Sequence, residues 1–369
     1  MKIGGFISKL LFMCIGALTL YSSLLSFSLS AQVPYTPETV NPMLEPWRWK
    51  AFPMLRGKGV RCLVEGKDGT MWFGLDKGLL SYDGYQWVSH SDEDLLNSQI
   101  NALHYGSDGY IYAGGETGLF VFRQGTWSRM FPTNPTFNIT ISSIHALSDG
   151  SLIVGITHGM LHIKDDIITI YTSRVRAKGF EDLHPHIEFV YLPNDALFDG
   201  AMGSVDYVYE KAPNELDVFL SVSNKGIILS FSINNVANGL LGRYVITNQL
   251  AGQPLADRQS FLHTSKGEQW IISAYYKSGI FVKDGFHWKH FKLSDRFGGD
   301  EIHTSIIESR DGTIWIGGLG KLYTYTKGKW NIYTSPSFSI PTSRISVYES
   351  KDGNIWLMGI MGEVYMIDY

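Results

Sequence analysis

The stretch "VRCLVEGKDGTMWFGLDKGLLSYDGYQWVSHS", Val60–Ser91, reads as a strand, an Asp-Gly turn, an aromatic-rich strand, a glycine turn and two further strands. Two copies follow it, "INALHYGSDGYIYAGGETGLFVFRQGTWSRMF" from Ile100 and "ISSIHALSDGSLIVGITHGMLHIKDDIITIYT" from Ile141. The spacing of about 40 residues is that of a four-stranded propeller blade. The Asp-Gly turns that set it are at Asp68, Asp108 and Asp149.

Further copies of this pattern fill the chain. Three clear ones begin at Arg258, His303 and Arg344, and a degenerate one begins at Val205, which makes seven. One small sheet cannot bury both of its faces, so the copies must stack radially. We therefore predict an all-β fold, a single seven-bladed β-propeller of four-stranded blades. Tryptophans at equivalent positions are expected to fill the space between blades: Trp72, Trp270, Trp315 and Trp356.

The last copy ends early, at "GEVYMIDY", Gly362–Tyr369, which matches only the third strand of the earlier copies. The segment "EPWRWKAFPMLRGKGVRCL" from Glu45 aligns with the end of one repeat and the start of the next. We expect Trp47–Phe52 to pair beside Val364–Ile367. That pairing would close the ring and remove the exposed sheet edges of an open array.

The pattern "DG-x-x-W-x-G-x-x-x-GL-x-x-Y", as in "DGTMWFGLDKGLLSYDG" and "DGTIWIGGLGKLYTYTKG", resembles the two-component regulator propeller repeat. That repeat builds extracytoplasmic sensor domains of bacterial hybrid histidine kinases, so the resemblance implies a β-propeller used for sensing. Such sensors usually continue into a transmembrane helix and a kinase. We expect this chain to contain neither of them.

Residues 1–31 have the features of a signal peptide: Lys2 and Lys9 accompany the apolar run "LLFMCIGALTLYSSLLSF", and "SLSA" follows it. Cleavage would start the mature protein at Ala31 or Gln32; an uncleaved membrane anchor is the alternative. The propeller would then occupy residues 32–369 in the periplasm or outside the cell. Cys62 would be the only cysteine left, which excludes an internal disulfide.

The charge of the chain argues against nucleic-acid binding. The formal net charge is −4, and the lysines and arginines are scattered rather than clustered. Motifs of common enzyme classes, such as G-x-S-x-G, H-E-x-x-H and the P-loop, do not occur. We predict no catalytic residue and no cofactor.

Ligand contacts are expected on one rim of the propeller. With the strands named a to d from the channel outward, the Asp-Gly turn joins a to b on what we call the turn rim. The b–c and d–a connections lie on the opposite rim, the loop rim, and are longer and more variable, as binding loops are. The candidate ligand-binding residues on its b–c connections are Asp76, Lys77, Glu116, His158, Tyr275, Tyr276 and Lys277.

A long insertion separates the third and fourth copies, at about residues 173–204. Long loops in compact folds are usually functional or disordered, and this one is rich in aromatic and aliphatic residues. Its His184 and His186 join the candidate ligand-binding set. An extended His-Pro-His would point both imidazoles to one side, but a third metal ligand is not defined, so no metal is predicted.

The leading functional hypothesis is an exported sensor-type propeller that binds a small molecule or carbohydrate fragment and feeds a two-component signalling system. The carbohydrate class is implied by the family resemblance. One alternative is a protein-interaction scaffold whose partner is a separately encoded histidine kinase or envelope receptor. Another is a propeller lyase or hydrolase acting on polysaccharide.

Overall fold

A computed structural model of the chain divides it into two compact units, Met1–Glu45 and Pro46–Tyr369. In the first unit only residues 42–45 are described, with a 3₁₀ turn at Pro42–Leu44, so the expected signal peptide lies outside the described residues. The structure describes residues 42–90, 97–132, 139–157, 159–173, 181, 186–192, 204–222, 225–233, 244–247, 249–250, 253–254, 259–273, 279–285, 287–293, 303–334 and 340–369.

The second unit is a propeller-like succession of antiparallel sheets, which we number along the chain. Sheet 1 has strands β2 (Val60–Glu65), β3 (Met71–Leu75), β4 (Leu79–Tyr82) and β5 (Trp87–His90). Sheet 2 has β6 (Ile100–Tyr105), β7 (Ile111–Gly115), β8 (Gly118–Arg123) and β9 (Thr126–Pro132). Sheet 3 has β10 (Ile141–Ala146), β11 (Leu152–Ile156), β12 (Gly159–Lys164), β13 (Ile167–Ser173) and β14 (Glu188–Leu192).

The remaining strands repeat this arrangement. Sheet 4 has β15 (Ser204–Ala212), β16 (Glu215–Val222), β17 (Lys225–Ser232) and β18 (Tyr244–Thr247), and a two-stranded ribbon follows, β19 (Gln249–Leu250) with β20 (Gln253–Pro254). Sheet 5 has β21 (Gln259–His263), β22 (Gln269–Ser273), β23 (Ile280–Asp284) and β24 (His287–Phe291). Sheet 6 has β25 (His303–Glu308), β26 (Ile314–Gly318), β27 (Lys321–Thr326) and β28 (Lys329–Thr334). Sheet 7 has β29 (Ile345–Glu349), β30 (Ile355–Gly359), β31 (Val364–Ile367) and, at its outer edge, β1 (Trp49–Ala51).

The third repeat departs from the predicted blade. Six sheets have four strands, but sheet 3 has five, because β14 adds in parallel beside β13, with Thr169 opposite Glu188. The prediction of seven four-stranded blades is therefore wrong, because the described structure has six four-stranded blades and one five-stranded sheet. The physical reason is that part of the long insertion returns as the strand "EFVYL" and pairs with the outer edge of β13, which would otherwise be left unpaired.

The four predicted inter-blade tryptophans are all buried. Trp72 of sheet 1 contacts Phe122 and Trp127 of sheet 2, with ring centroids 5.0 and 5.9 Å away. Trp315 is fully buried and donates a hydrogen bond from its indole nitrogen to the Ser309 hydroxyl, at 3.0 Å. The aromatic repeat positions therefore belong to the core.

A glycine near the end of the second strand of several sheets allows the next sheet to approach. A Cβ on Gly317 would lie 2.0 Å from the carbonyl oxygen of Ile345, on the innermost strand of sheet 7. Gly114 is placed in the same way against Ile141 of sheet 3, where the added atom would lie 2.3 Å from a side-chain methyl. Neither distance is compatible with a side chain, which explains the glycine in the repeat.

Replacing Gly317 by alanine should lower the free energy of unfolding by about 3 kcal/mol, since a clash with backbone cannot be relieved by a rotamer change. Gly328 provides the control, because its added Cβ would meet nothing within 4 Å although its φ is +78°. Alanine at Gly328 should cost only roughly 1 kcal/mol, the strain of the left-handed conformation. Urea unfolding measures both variants; equal losses would contradict the close-approach explanation.

The N-terminal strand pairs with the C-terminal one, as expected. Trp49, Lys50 and Ala51 lie opposite Ile367, Met366 and Tyr365. The Phe52 amide then donates to the Val364 carbonyl at 2.9 Å. A 3₁₀ turn precedes β1 (Pro46–Arg48) and another follows it (Pro53–Leu55). Within the described part of the chain, none of the helical segments is long and apolar enough to cross a bilayer.

Candidate ligand-binding site

The loop rim brings some of the predicted residues together. Asp76 accepts hydrogen bonds from Arg61 Nε at 2.5 Å and from Gln99 Nε2 at 3.4 Å. The Glu116 amide donates to the Gln99 carbonyl at 3.2 Å, so Asp76 and Glu116 lie on either side of Gln99. Lys77 is exposed next to Asp76. These three predicted residues therefore occupy one exposed region where sheets 1 and 2 meet.

Most of the other predicted residues fall outside the part of the chain that the structure describes. His158, His184, Tyr275, Tyr276 and Lys277 lie outside the described residues. His186 is described and exposed, just before β14. A ligand-binding role for any of the predicted residues stays a prediction.

A cleft between sheets 2 and 3 opens on the turn rim, where no binding was predicted. Its volume is about 370 Å³. Its apolar lining residues are Met130, Leu152 and Ile163. The polar lining residues are Ser107, Asp108, Tyr112, Arg123, Asp149, Ser151, Lys164, Asp165 and Asp166.

An ion pair crosses the cleft. Arg123, at the end of β8 in sheet 2, donates from Nη2 to Asp166 Oδ1 of sheet 3 at 2.9 Å. This contact lowers the pKa of Asp166 and raises that of Arg123, so both groups are charged at neutral pH. Asp166 reaches this position because Asp165 and Asp166 both have positive φ, 51° and 62°, in the two-residue turn between β12 and β13.

Two further polar pairs line the walls. Lys164 Nζ lies 2.8 Å from Asp149 Oδ2, and its hydrogen bond holds the pKa of Asp149 well below the ordinary range. The Tyr112 hydroxyl donates to Asp108 Oδ2 at 2.5 Å. Burial, then the nearby Asp108, raise the pKa of Tyr112 to about 12, so the phenol stays a donor.

This lining suits recognition of a small polar molecule better than metal binding. It presents carboxylate acceptors together with guanidinium, ammonium and hydroxyl donors beside apolar side chains. Among the described residues, no group of three or more His, Cys, Asp and Glu side chains is arranged to hold a metal ion. The cleft is thus a candidate ligand-binding site in the described part of the structure.

No protein-family model matches the sequence, and no curated protein sequence matches it either. Solved structures do match. The extracellular domain assigned to the hybrid two-component system BT4673 of B. thetaiotaomicron has a TM-score of 0.59 at 18% identity, over 85% of this chain and 38% of that one. Virginiamycin B lyase from Staphylococcus aureus has a TM-score of 0.61 at 11% identity, over 86% and 98%. YCF48 bound to D1 peptide has a TM-score of 0.61 at 15% identity, over 91% and 96%.

At these identities the likeness establishes the β-propeller fold and no activity. The chain spans about two-fifths of the BT4673 domain that it matches. Among the neighbours are an extracellular domain of a two-component system, which agrees with the resemblance drawn from the repeats, and an enzyme.

Proposed function

We propose that this protein is an exported sensor-type β-propeller that binds a small molecule, such as a carbohydrate fragment, in the cleft between sheets 2 and 3. Occupancy of the cleft would be communicated to a two-component system through a separately encoded histidine kinase or envelope receptor. The fold shared with the extracellular domain of BT4673 and the signal-peptide features of residues 1–31 support this proposal. Residues 32–369 would act in the periplasm or outside the cell.

The observation that carries the proposal is the contrast between this cleft and a neighbouring sheet junction. Between sheets 1 and 2, Trp72 and Trp127 fill the space with aromatic rings. Between sheets 2 and 3, charged groups face a cavity of about 370 Å³, large enough for a small ligand. Donors and acceptors alternate around it, and such a lining matches the vicinal hydroxyls of a sugar as well as other polar ligands.

Closure of the ring through the junction of sheets 7 and 1 is part of the proposal. The Tyr348 hydroxyl of sheet 7 accepts from the Glu65 amide of sheet 1 at 3.0 Å. Phe52, Trp356 and Phe73 share one apolar cluster across the same junction. A closed ring would hold sheets 2 and 3 at a fixed separation, which favours a preformed ligand site.

A thermal-shift panel of small polar compounds on the mature protein tests the proposal. A ligand at 100 times its Kd should stabilise the fold by about 2.7 kcal/mol. Arg123→Gln removes a charged donor from the cleft and should weaken binding about tenfold or more. Lys77→Gln, on the loop rim, is the matched control and should leave binding unchanged.

Different outcomes would redirect the proposal. Binding lost in Lys77→Gln but kept in Arg123→Gln would place the ligand on the loop rim instead of in the cleft. Turnover of a bound compound would indicate an enzyme. A panel without any ligand, together with tight capture of an envelope protein, would favour the scaffold alternative.

A further inference from the structure

Glutamate side chains link neighbouring sheets along the turn rim. The Glu210 carboxylate of sheet 4 accepts from the amide and the hydroxyl of Ser148, in the Asp-Gly turn of sheet 3, at 2.6 and 2.9 Å. Glu308 of sheet 6 binds the amide and hydroxyl of Ser265 in the turn of sheet 5, at 2.6 and 2.8 Å.

The same contact recurs at two other junctions. Both carboxylate oxygens of Glu349 in sheet 7 lie 3.1 Å from the Arg310 amide in the turn of sheet 6. Glu65 of sheet 1 accepts from the Lys351 amide in the turn of sheet 7. Four junctions therefore use one device, in which a carboxylate binds the backbone amide two residues before the glycine of the preceding turn.

Strand register identifies the equivalent residue in the other sheets. Glu65, Glu308 and Glu349 form the last pair of the a–b hairpin, opposite Met71, Ile314 and Ile355. The residues in this position elsewhere are Tyr105 opposite Ile111, Ala146 opposite Leu152, and His263 opposite Gln269. Three sheets thus lack the glutamate.

Two of these replacements put a ring at the junction. The Tyr105 ring lies under the Lys351 ammonium at 4.6 Å, and the His263 ring stacks on Tyr209 of sheet 4 at 3.7 Å. Ala146 of sheet 3 has only a methyl group, and it is exposed. Its junction with sheet 2 is the one that contains the cleft.

Ser107 is the turn residue that faces this junction, equivalent to Ser148 and Ser265. It lines the cleft, and no described residue accepts a hydrogen bond from its amide or its hydroxyl. At the junctions of sheets 3 with 4 and 5 with 6, the same pair of donors holds a carboxylate. Among these three described serines, Ser107 is the one whose pair of donors is open to a molecule from solution.

We infer that the cleft binds its ligand through a carboxylate group, which takes hydrogen bonds from the Ser107 amide and hydroxyl as Glu210 takes them from Ser148. The inference rests on the proposed function, since it assumes that the cleft is the ligand site. It adds the chemical class of the ligand, a small organic carboxylate, whatever its remaining skeleton.

An aspartate next to the turn serine does not by itself prevent a carboxylate from binding there. Asp149 lies next to Ser148, yet Glu210 binds there, because the Asp149 carboxylate is itself engaged by the Ser151 amide at 3.0 Å. Asp108 beside Ser107 is engaged in the same way by the Tyr110 amide at 3.0 Å. Arg123 and Lys164 also line the cleft but are paired with Asp166 and Asp149, so the Ser107 donors, and not a net positive charge, would hold the ligand carboxylate.

Glutarate and propionate, compared with their neutral amides at constant ionic strength, are the probes. Ala146→Glu should supply the carboxylate from the chain itself, so it should raise the melting temperature without ligand and lower the glutarate response at least tenfold. Ala146→Gln, the neutral isostere, should raise the melting temperature less and should keep most of the glutarate response. The amide resonance of Ser107 should shift saturably with glutarate in the wild type and in Ala146→Gln, but not in Ala146→Glu.

Several results would overturn the inference. One is the absence of any saturable response to glutarate or propionate in the wild type, even if Ala146→Glu is stabilising. Another is an equal response to the neutral amides, or a full response in Ala146→Glu. A third is binding of a neutral compound with an affinity that falls in Arg123→Gln and is unchanged in Ala146→Glu. That result would overturn the carboxylate inference and would still support the proposed function.

Discussion

Deletion of residues 46–53 is expected to leave a protein that does not unfold cooperatively and that aggregates. The deletion removes β1, whose three residues pair with β31, and it removes Phe52. Phe52 is 6% exposed and stacks on Trp356 of sheet 7, with ring centroids 4.8 Å apart. Its ring centroid lies 6.0 Å from that of Tyr82 in sheet 1. Without this segment, β31 becomes an unpaired sheet edge and the junction of sheets 7 and 1 loses its central ring.

A milder variant measures the same contact in a protein that still folds. Phe52→Ala should lower the free energy of unfolding by about 3–5 kcal/mol, as truncations of buried phenylalanine do. Trp47→Ala, at a side chain that is 59% exposed, is the control and should cost less than about 1 kcal/mol. Circular dichroism melts and size-exclusion chromatography report both effects. A deletion variant that melts like the wild type would show that β1 is dispensable.

The repeats predicted most of the fold because turn chemistry and strand period are local properties of the sequence. The Asp-Gly turn at Asp68, for example, lies between β2, which ends at Glu65, and β3, which begins at Met71. The fifth strand of sheet 3 was missed because parallel pairing is not specified locally. Nothing in "EFVYL" indicates that β14 lies beside β13 rather than in a loop.

The cleft was missed for a different reason. The longer connections are on the loop rim, and because long loops usually carry binding residues, the sequence predicted a site there and none on the turn rim. A signal for the cleft is nevertheless present in the sequence, since aligned copies show Ala146 where Glu65, Glu308 and Glu349 stand. Its meaning needed the structure, because the partner of each glutamate belongs to the preceding sheet, 43 positions earlier for Glu308 and Ser265.

Acidification from about pH 6.5 to pH 4.5 should destabilise the protein, before most carboxylates are protonated. Burial, followed by the nearby His104, lowers the pKa of His145 to about 4. Burial likewise lowers the pKa of His263 to about 4; its Nε2 lies 2.9 Å from Gln269 Nε2. In the unfolded chain both imidazoles would titrate near 6.5.

The sign follows from proton linkage. Below about pH 6.5 the unfolded state binds more protons than the folded state, so stability is full above that pH and falls as pH approaches 4. A pKa difference of about 2.5 units corresponds to a loss on the order of 3 kcal/mol per histidine at most. The carboxylates of Asp149 and Asp166 have lowered pKa values too, but their contribution is lost only below the ordinary aspartate pKa of about 4.

The histidine and carboxylate contributions therefore occupy different pH windows, and two variants separate them. Urea midpoints of the wild type should fall steadily between pH 6.5 and 4.5. In a His145→Gln, His263→Gln double variant, which cannot gain these charges, the profile should be lower at pH 7 and clearly less steep across that window. Burial also lowers the pKa of His90, His104 and His162, which leaves a residual slope. His287→Gln is the matched control, because His287 is exposed, and it should leave the slope unchanged. A wild-type profile that is flat down to pH 4.5 would mean that the buried imidazoles accept protons in the folded state.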